Sequence, residues 1–531
     1  MILNHTRRKA VEDLSQRKGT GWVWDSIPPV SRWLVWCWFL CVLSGAAAAE
    51  DLLWLDGEDR PRPAVQQALA LMRSAADEGL DPRDYPADGL VRELADLPRG
   101  DVVKARAWDD AMSAALRRYL LDLQRGRVDP ARLGFRLRAV APPEDFPARL
   151  RAAVLEADLP RLALAMQPPL AEYRLLRAEL PRVRHLAAQA LPPVILTTTL
   201  HPGDACEQAK ALSDWLAAWG DLPTPPAAVG PRYEGALVEA MKRFQARHGL
   251  EPDGVVGPAT RRALAVPAAA RLAQIEWAME RLRWLGARPE QRFIAINIPM
   301  FRLWAVDRAG GAPLTMGVVV GRALNTRTPV LEGSISQVIF RPYWNVPRSI
   351  LRKEVLPRVA REPGYLRAED FEIVQGEGDD ARPVEASAEH LALLRDGGLR
   401  LRQRPGPRNA LGRVKFVFPN DADVYLHDTP AQSLFGRARR DFSHGCVRVE
   451  SPLRLAEWVL AAQPGWTPQR VAEAAAGDRA SQKVLVQPKL PVVIFYMTAM
   501  VTPDDGRLRF AEDLYGHDAQ LQRALAARRG H

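Results

Sequence analysis

The chain has 531 residues, more than a single hydrophobic core organises, so about two to four domains are expected. With 47% hydrophobic and 26% charged residues it has the make-up of folded globular protein, which excludes disorder throughout. The formal charge of +10 is carried by arginine, only nine of the 73 cations being lysine, and it is spread over every segment with Asp or Glu nearby; no basic face interleaved with aromatics results, which argues against a nucleic-acid reader and leaves a weak preference for an anionic surface such as phospholipid or a cell-wall polymer.

Residues 1–49 read as a leader. Ser31-Arg32 precedes an apolar run at 33–43, and the small residues from Ser44 to Ala49 end in an Ala-x-Ala pattern. That is the layout of a secretory signal. Eleven apolar residues fall short of the roughly twenty that cross a bilayer, although an uncleaved leader would leave the chain anchored. No cysteine follows the small-residue run, so a lipoprotein is not expected. Cleavage removes Cys37 and Cys41 and leaves Cys206 and Cys446 in an oxidising compartment. Four cysteines in this length make no disulfide scaffold, so a thiol retained there needs a reason.

From 50 to 222 the pattern is helical. Val65, Leu69 and Met72 fall at helical spacing within 63–77, and Gly79 supplies a left-handed stop. The stretch 110–124 repeats the pattern, and 163–190 adds further turns, all without clustered catalytic residue types. A helical scaffold is expected. The Pro-rich 222–230 reads as a linker. In 231–268, Leu237, Met241 and Phe244 share a helix face that closes at Gly249; Asp253-Gly254 makes a turn, and Gly257-Pro258 opens a helix carrying Leu264. The run Phe244-Gln245, Gly249-Leu250, Asp253-Gly254, Gly257 and Thr260 resembles the three-helix peptidoglycan-binding module. The residues alone equally allow a small bundle without a ligand.

From Phe293 the period changes to two. Segments 293–298, 301–306, 315–320, 335–340, 415–418, 424–427, 483–486 and 492–496 are short, β-rich and bounded by Gly, Pro or Asn, which predicts a mixed β domain over 291–518. Between 349 and 404 the alternation lapses into helical and charged sequence, read as an insertion folded over that domain. Ser451-Pro452 and Thr467-Pro468 open two helices, the second stopping at Gly477. Residues 519–531 read as a tail. The fold class is multidomain α+β.

The chemistry is concentrated in Tyr425-Leu426-His427-Asp428-Thr429-Pro430 and Ser443-His444-Gly445-Cys446-Val447-Arg448. A thiol attacks at neutral pH only when a neighbour lowers its pKa or takes its proton, and imidazole suits that task. Gly445 would let backbone N–H groups approach an oxyanion closely. Arg448, two residues past Cys446, shares its side of a strand and suits a substrate carboxylate. Taken bare, these residues leave a structural cysteine equally open.

The spacing of His427, fifteen residues, then Ser443-His444-Gly445-Cys446-Val447-Arg448 resembles the L,D-transpeptidase signature. Stretches 342–350, 405–412, 415–420 and 425–430 are similar to the large periplasmic YcbB-type (LdtD) branch of that family. The resemblance implies a helical scaffold, a peptidoglycan-binding module and a catalytic domain of L,D-transpeptidase fold with an inserted capping subdomain. It implies Cys446 as nucleophile and His427 as proton acceptor and donor. It further implies that His444 holds the cysteine loop, that Gly445 and Cys446 N–H groups are oxyanion donors, that Ser443 orients the loop, and that Tyr425 lines the donor groove. Arg448 stands where other branches have Asn, which makes its carboxylate role the least supported. The activity implied is a cofactor-free acyl transfer: Cys446 attacks the third residue of a tetrapeptide stem, releases D-Ala, and passes the acyl group to a diaminopimelate-type amine, giving a 3→3 cross-link. Partners implied are peptidoglycan stem peptides, carbapenems as covalent inhibitors, and other wall synthases. Water as acceptor would make the same site an L,D-carboxypeptidase, and a thiol without chemistry would leave a wall-binding scaffold.

Other motifs carry no chemistry. No H-E-x-x-H or close Cys/His quartet supports a metal, and His201 to Cys206 reads as a loop with a stray thiol. The Ser-x-x-Lys at Ser15–Lys18 precedes the export segment, which excludes a penicillin-binding serine mechanism. Trp304, Trp344 and Trp458 read as core.

Overall fold

The computed structural model describes residues 52–528 apart from 190–193, 225–227, 288–289, 324–325 and 503–504, so the leader expected at 1–49 lies outside the described residues. Among the described residues no helix is long and apolar enough to cross a membrane. The first region is helical, with Pro63–Arg73, Ala87–Ala95, Val102–Arg125, Phe146–Leu155, Leu159–Met166 and Ala171–Ala188 as its main helices. Val65, Leu69 and Met72 face inward, and Gly79 takes φ 65° after a short 3-10 turn, as the spacing predicts. Val102–Arg125 starts earlier than the apolar period suggests, because Asp101 caps it by accepting from the Lys104 N–H at 3.1 Å.

Helix Ala268–Leu285 packs on Ala171–Ala188 and also meets Val102–Arg125, Ala499–Val501 and the C-terminal helix His517–Arg528. It is buried on most sides, with Ile275, Ala278, Met279 and Leu282 beside buried Arg271, Glu280, Arg281 and Arg283. Charges in such a place persist only when paired. Glu280 accepts from the Val128 N–H at 3.1 Å and from the Arg127 N–H, and it pairs with the side chains of Arg127 and Arg283, each at 3.3 Å. Burial alone would push its carboxyl pKa up, but Arg127, Arg283 and the two backbone donors hold it below the ordinary value.

Helices Ala209–Ala218, Ala236–Arg247 and Pro258–Leu264 form a small bundle, with Trp215 edge-on to Phe244 at 5.4 Å. The Gln245 amide reaches Asp253 at 2.9 Å and accepts from the Gly254 N–H at 2.8 Å, which fixes the turn between the last two helices. The Pro-rich stretch therefore joins two helices of one packed unit, whose first helix lies upstream of residue 231.

The β domain contains β1 (Arg292–Asn297), β2 (Arg302–Asp307), β3 (Leu314–Gly321), β4 (Leu331–Phe340), β5 (Trp344–Asn345), β6 (Phe371–Gln375), β7 (Arg382–Val384), β8 (Arg400–Gln403), β9 (Val414–Val417), β10 (Leu426–His427), β11 (Asp441–Ser443), β12 (Val447–Val449), β13 (Gln482–Phe495), β14 (Ala499–Val501) and β15 (Leu508–Phe510). Its main sheet has nine strands in the order β11-β3-β12-β10-β9-β4-β13-β1-β2, and β2 also pairs with β3, so the sheet curls closed. The two segments read at 483–486 and 492–496 are one strand, β13, with a register shift between Leu485 and Leu490.

The insertion is a subdomain with its own sheet, β5-β8-β6-β7, and its own core around Leu351, Ile373, Leu394 and Leu401. It is more strand-rich than its charged sequence suggests, and β5 brings its start forward to Trp344. The expected tail is also structured. Helix His517–Arg528 docks through Asp518 on Arg281 at 2.6 Å and Arg528 on Asp122 at 2.8 Å, while Asp518 accepts from the Thr498 hydroxyl.

Replacing Glu280 by Ala removes the carboxylate that Arg127 and Arg283 share in the core and leaves Arg127 with Asp84 at 3.4 Å. We expect E280A to lose about 3–5 kcal/mol, read as a lower urea midpoint of the helical region by far-UV circular dichroism.

Candidate active site

Two very short strands build the site. β10 and β12 lie parallel, with Leu426 opposite Val447 and His427 opposite Arg448. Leu426 and Val447 are fully buried inside the curled sheet. Side chains alternate along a strand, so Tyr425, His427, Cys446 and Arg448 fall together on the other face. On the far side of β10, antiparallel β9 places Lys415 opposite His427. Lys415, His427 and Arg448 thus form a row across three strands, with Tyr425 and Cys446 beside it. All five line a cleft of about 880 Å³, large enough for a small ligand or peptide. The opposite wall comes from the insertion, including Trp344, Ile350, Glu354 and Leu401. Trp344 therefore belongs to the cleft rather than the core, because β5 carries it to the edge of the insertion; Trp304 is buried as expected, and Trp458 is half-buried beneath Arg292.

The Cys446 thiol donates to the Asp423 carbonyl at 3.8 Å, and Tyr425 offers it both a backbone N–H and its phenol O–H. Burial pushes the thiol pKa up, while Tyr425, Lys415 and Arg448 act in the opposite sense and do not overcome it. The resting sulfur is a neutral thiol.

His427 is buried, and its Nδ1 lies 2.5 Å from the Asp428 carbonyl. A carbonyl only accepts, so Nδ1 carries the proton and Nε2 is left as a base. Burial first, then Arg448 and Lys415, bring the imidazole pKa down to about 3, against the pull of the Asp428 carbonyl. The ring is uncharged at neutral pH and makes no hydrogen bond to the sulfur among the described residues. The Asp428 carboxylate is pinned by the Thr429 and Arg413 N–H groups at 2.7 and 2.8 Å. A Cβ at Gly412 would collide with that carboxylate, which explains the glycine.

The cysteine loop departs from expectation at two positions, Gly445 and His444. The Ser443 hydroxyl donates to the Cys446 carbonyl at 2.5 Å and accepts from the Gly445 N–H at 3.2 Å, so Ser443 braces the loop. Gly445 is consequently not a free oxyanion donor; its N–H is turned back into the loop, its carbonyl accepts from Thr328 at 2.7 Å, and it is glycine because φ is +117°. The Cys446 N–H remains without a partner among the described residues. His444 makes no hydrogen bond within the loop among the described residues and holds it from outside. Its Nε2 reaches Glu354 of the insertion at 2.6 Å, because the residue projects out of the sheet towards the opposite wall.

Sequence reasoning missed Lys415 as a site residue. Its ammonium sits 3.7 Å from the Tyr425 ring centre, and burial lowers its pKa. Its side of the strand could be read from the period of two, but not its pairing with β10. Cys206 is a separate buried thiol, unpaired with Cys446, and no group of three or more potential metal ligands occurs among the described residues.

Residues 291–494 match the L,D-transpeptidase catalytic domain family (YkuD), residues 46–180 a scaffold domain family, and residues 207–264 a family described as "Putative peptidoglycan binding domain". The chain is 33% identical over 231 residues to a "Putative L,D-transpeptidase" of Haemophilus influenzae, a match covering 44% of this chain and 45% of that protein, a little under half its length. Among solved structures, the L,D-transpeptidase (Yku) from Stackebrandtia nassauensis is similar at 15% identity, covering 56% of this chain and 97% of that one with a TM-score of 0.22. The Ldtfm–avibactam carbamoyl enzyme is similar at 11% identity, over 44% and 64% of the two chains, with a TM-score of 0.17. The β domain thus matches the L,D-transpeptidase catalytic domain family, and the regions before it match a scaffold family and a peptidoglycan-binding family.

Iodoacetamide should alkylate Cys446 slowly at pH 7 and faster as pH rises above the usual thiol value. Lys415→Gln removes a cation that favours the thiolate, so its reactivity curve should move to higher pH. We expect a rate at pH 8 lower by about threefold, measured by mass spectrometry of the modified peptide.

Proposed function

We propose that this protein, which carries an L,D-transpeptidase catalytic domain, is an exported enzyme of the large YcbB-type branch that joins peptidoglycan stems 3→3 through a thioester on Cys446. The observation that carries the reading is the convergence of Cys446, His427, Tyr425, Arg448 and Lys415 on one face of a cleft walled by the insertion. Export rests on the leader at 1–49.

The chemistry follows from neutral partners. Sγ attacks the carbonyl carbon of the third stem residue as Nε2 of His427 takes the thiol proton. The oxyanion is met by the Cys446 N–H, and the Tyr425 phenol follows the charge leaving the sulfur. Collapse breaks the C–N bond, and the His427 imidazolium returns its proton to the departing D-Ala amine. A thioester remains. In the second half the acceptor amine attacks, His427 takes its proton, and the Cys446 thiol is restored. Lys415 and Arg448 lower the cost of negative charge in both halves, and Arg448 suits the carboxylate of the donor peptide. A wall on both sides of the sulfur limits water and favours a bound amine as acceptor.

Incubation with a carbapenem should add one drug mass to the protein and none to Cys446→Ala. His427→Ala should slow that acylation by about 10²–10⁴-fold. Because the imidazole is protonated only below about 3, the acylation rate should show no step near 6.5 when measured between pH 5 and 8. Tetrapeptide muropeptides should yield cross-linked dimers; tripeptides alone would mark an L,D-carboxypeptidase, and failure of both reactions in the unmutated protein would overturn the enzymatic reading.

A further inference from the structure

A second cleft, of about 430 Å³, lies between the helical module and the β domain. It is lined by the end of helix Ala236–Arg247 and the turn after it, by the 299–302 turn, by the segment 436–440 and by residues of the β15 region. Its charged lining is arginine, opposed only by Glu251 and Glu512. Three of these arginines already have carboxylates. Arg247 forks onto Asp221 at 2.7 Å, Arg439 onto Asp441 at 2.7 Å, and Arg509 pairs with Asp505 at 2.5 Å.

Others do not. Arg262 and Arg437 are exposed and make no ion pair among the described residues. Arg440 is half-buried. Its terminal nitrogens donate to the carbonyls of Phe435, Arg437 and Phe301 at 3.2, 3.0 and 3.1 Å, its Nε is buried without a partner, and no carboxylate lies at ion-pair distance. Burial lowers its pKa, with Glu450 opposing and Arg302 adding to the effect. Beside these cations lie Leu250, Met300, Phe301 and Phe510. A cleft lined by cations and apolar side chains fits a short peptide with free carboxylates and small aliphatic side chains.

We propose that this cleft binds a second, carboxylate-bearing stem peptide of the wall polymer through Arg262, Arg437 and Arg440, apart from the stem held at Cys446. The proposal rests on the wall-enzyme reading for the identity of its ligand. The segment that lines the cleft runs directly into β11 and the cysteine loop, so a glycan strand anchored there lies beside the chain that carries the nucleophile.

The test uses the full chain with Cys446→Ala, so that no thioester forms, titrated calorimetrically with purified disaccharide-tetrapeptide. The expected stoichiometry is two. Adding Arg262→Ala and Arg437→Ala should weaken one event at least tenfold and leave the other unchanged, and a muropeptide with amidated carboxylates should lose the same event. A stoichiometry of one, two events insensitive to the arginine changes, or equal binding of the amidated peptide overturns the proposal. Carbapenem acylation of the arginine double variant with Cys446 intact separates the two readings: acylation at the unmutated rate with a stoichiometry of one removes only the second site, whereas absent acylation in the unmutated protein removes the enzymatic reading.

Discussion

The active site depends on the parallel pairing of β10 with β12. Neither strand would be stable alone, since they have two and three residues. They are held because β9 and β3 flank them in a closed sheet and because Leu426 and Val447 fill its interior. A slip of one residue in either strand would turn its active-site side chains inward and its apolar partners into the cleft, so the core and the chemistry enforce the same register. The sulfur and the imidazole are nineteen positions apart in sequence and reach one face only through this pairing.

Burial then sets the protonation states. It disfavours charge on both Cys446 and His427, and the cations Lys415 and Arg448 deepen that effect for the imidazole while opposing it for the thiol. The pair rests as thiol and neutral imidazole rather than as an ion pair. On the proposed mechanism such a site gains reactivity as negative charge develops on the sulfur, which the Tyr425 phenol, Lys415 and Arg448 favour. The contact of His444 with Glu354 ties the cysteine loop to the insertion across the cleft, so the opposite wall is attached to the segment that bears Cys446.

The rest of the molecule is organised around helix Ala268–Leu285. Its buried charges are matched by residues from the scaffold, from the segment after Val102–Arg125 and from the C-terminal helix. Removal of one partner leaves others uncompensated, which makes this network a determinant of how the units fit rather than a simple gain in stability. The module packs through His248, stacked between Phe244 and Phe510, and its edge forms one side of the arginine-lined cleft.

The sequence alone was sufficient wherever a local rule governs. Helices with one apolar face, strands with a period of two, and the spacing from His427 to Cys446 were all legible before any coordinates. Helix Ala268–Leu285 was not, because burial on most sides, with Arg and Glu inside, erases the amphipathic period that marks a helix. The short, charged strands of the insertion and the docked C-terminal helix escaped for a related reason, as they depend on partners far along the chain. The roles of Ser443, His444, Gly445 and Lys415 were decided by tertiary structure. Which N–H meets which oxygen, and which cation lies beside which ring, depends on strand register and loop direction, and residue order carries neither.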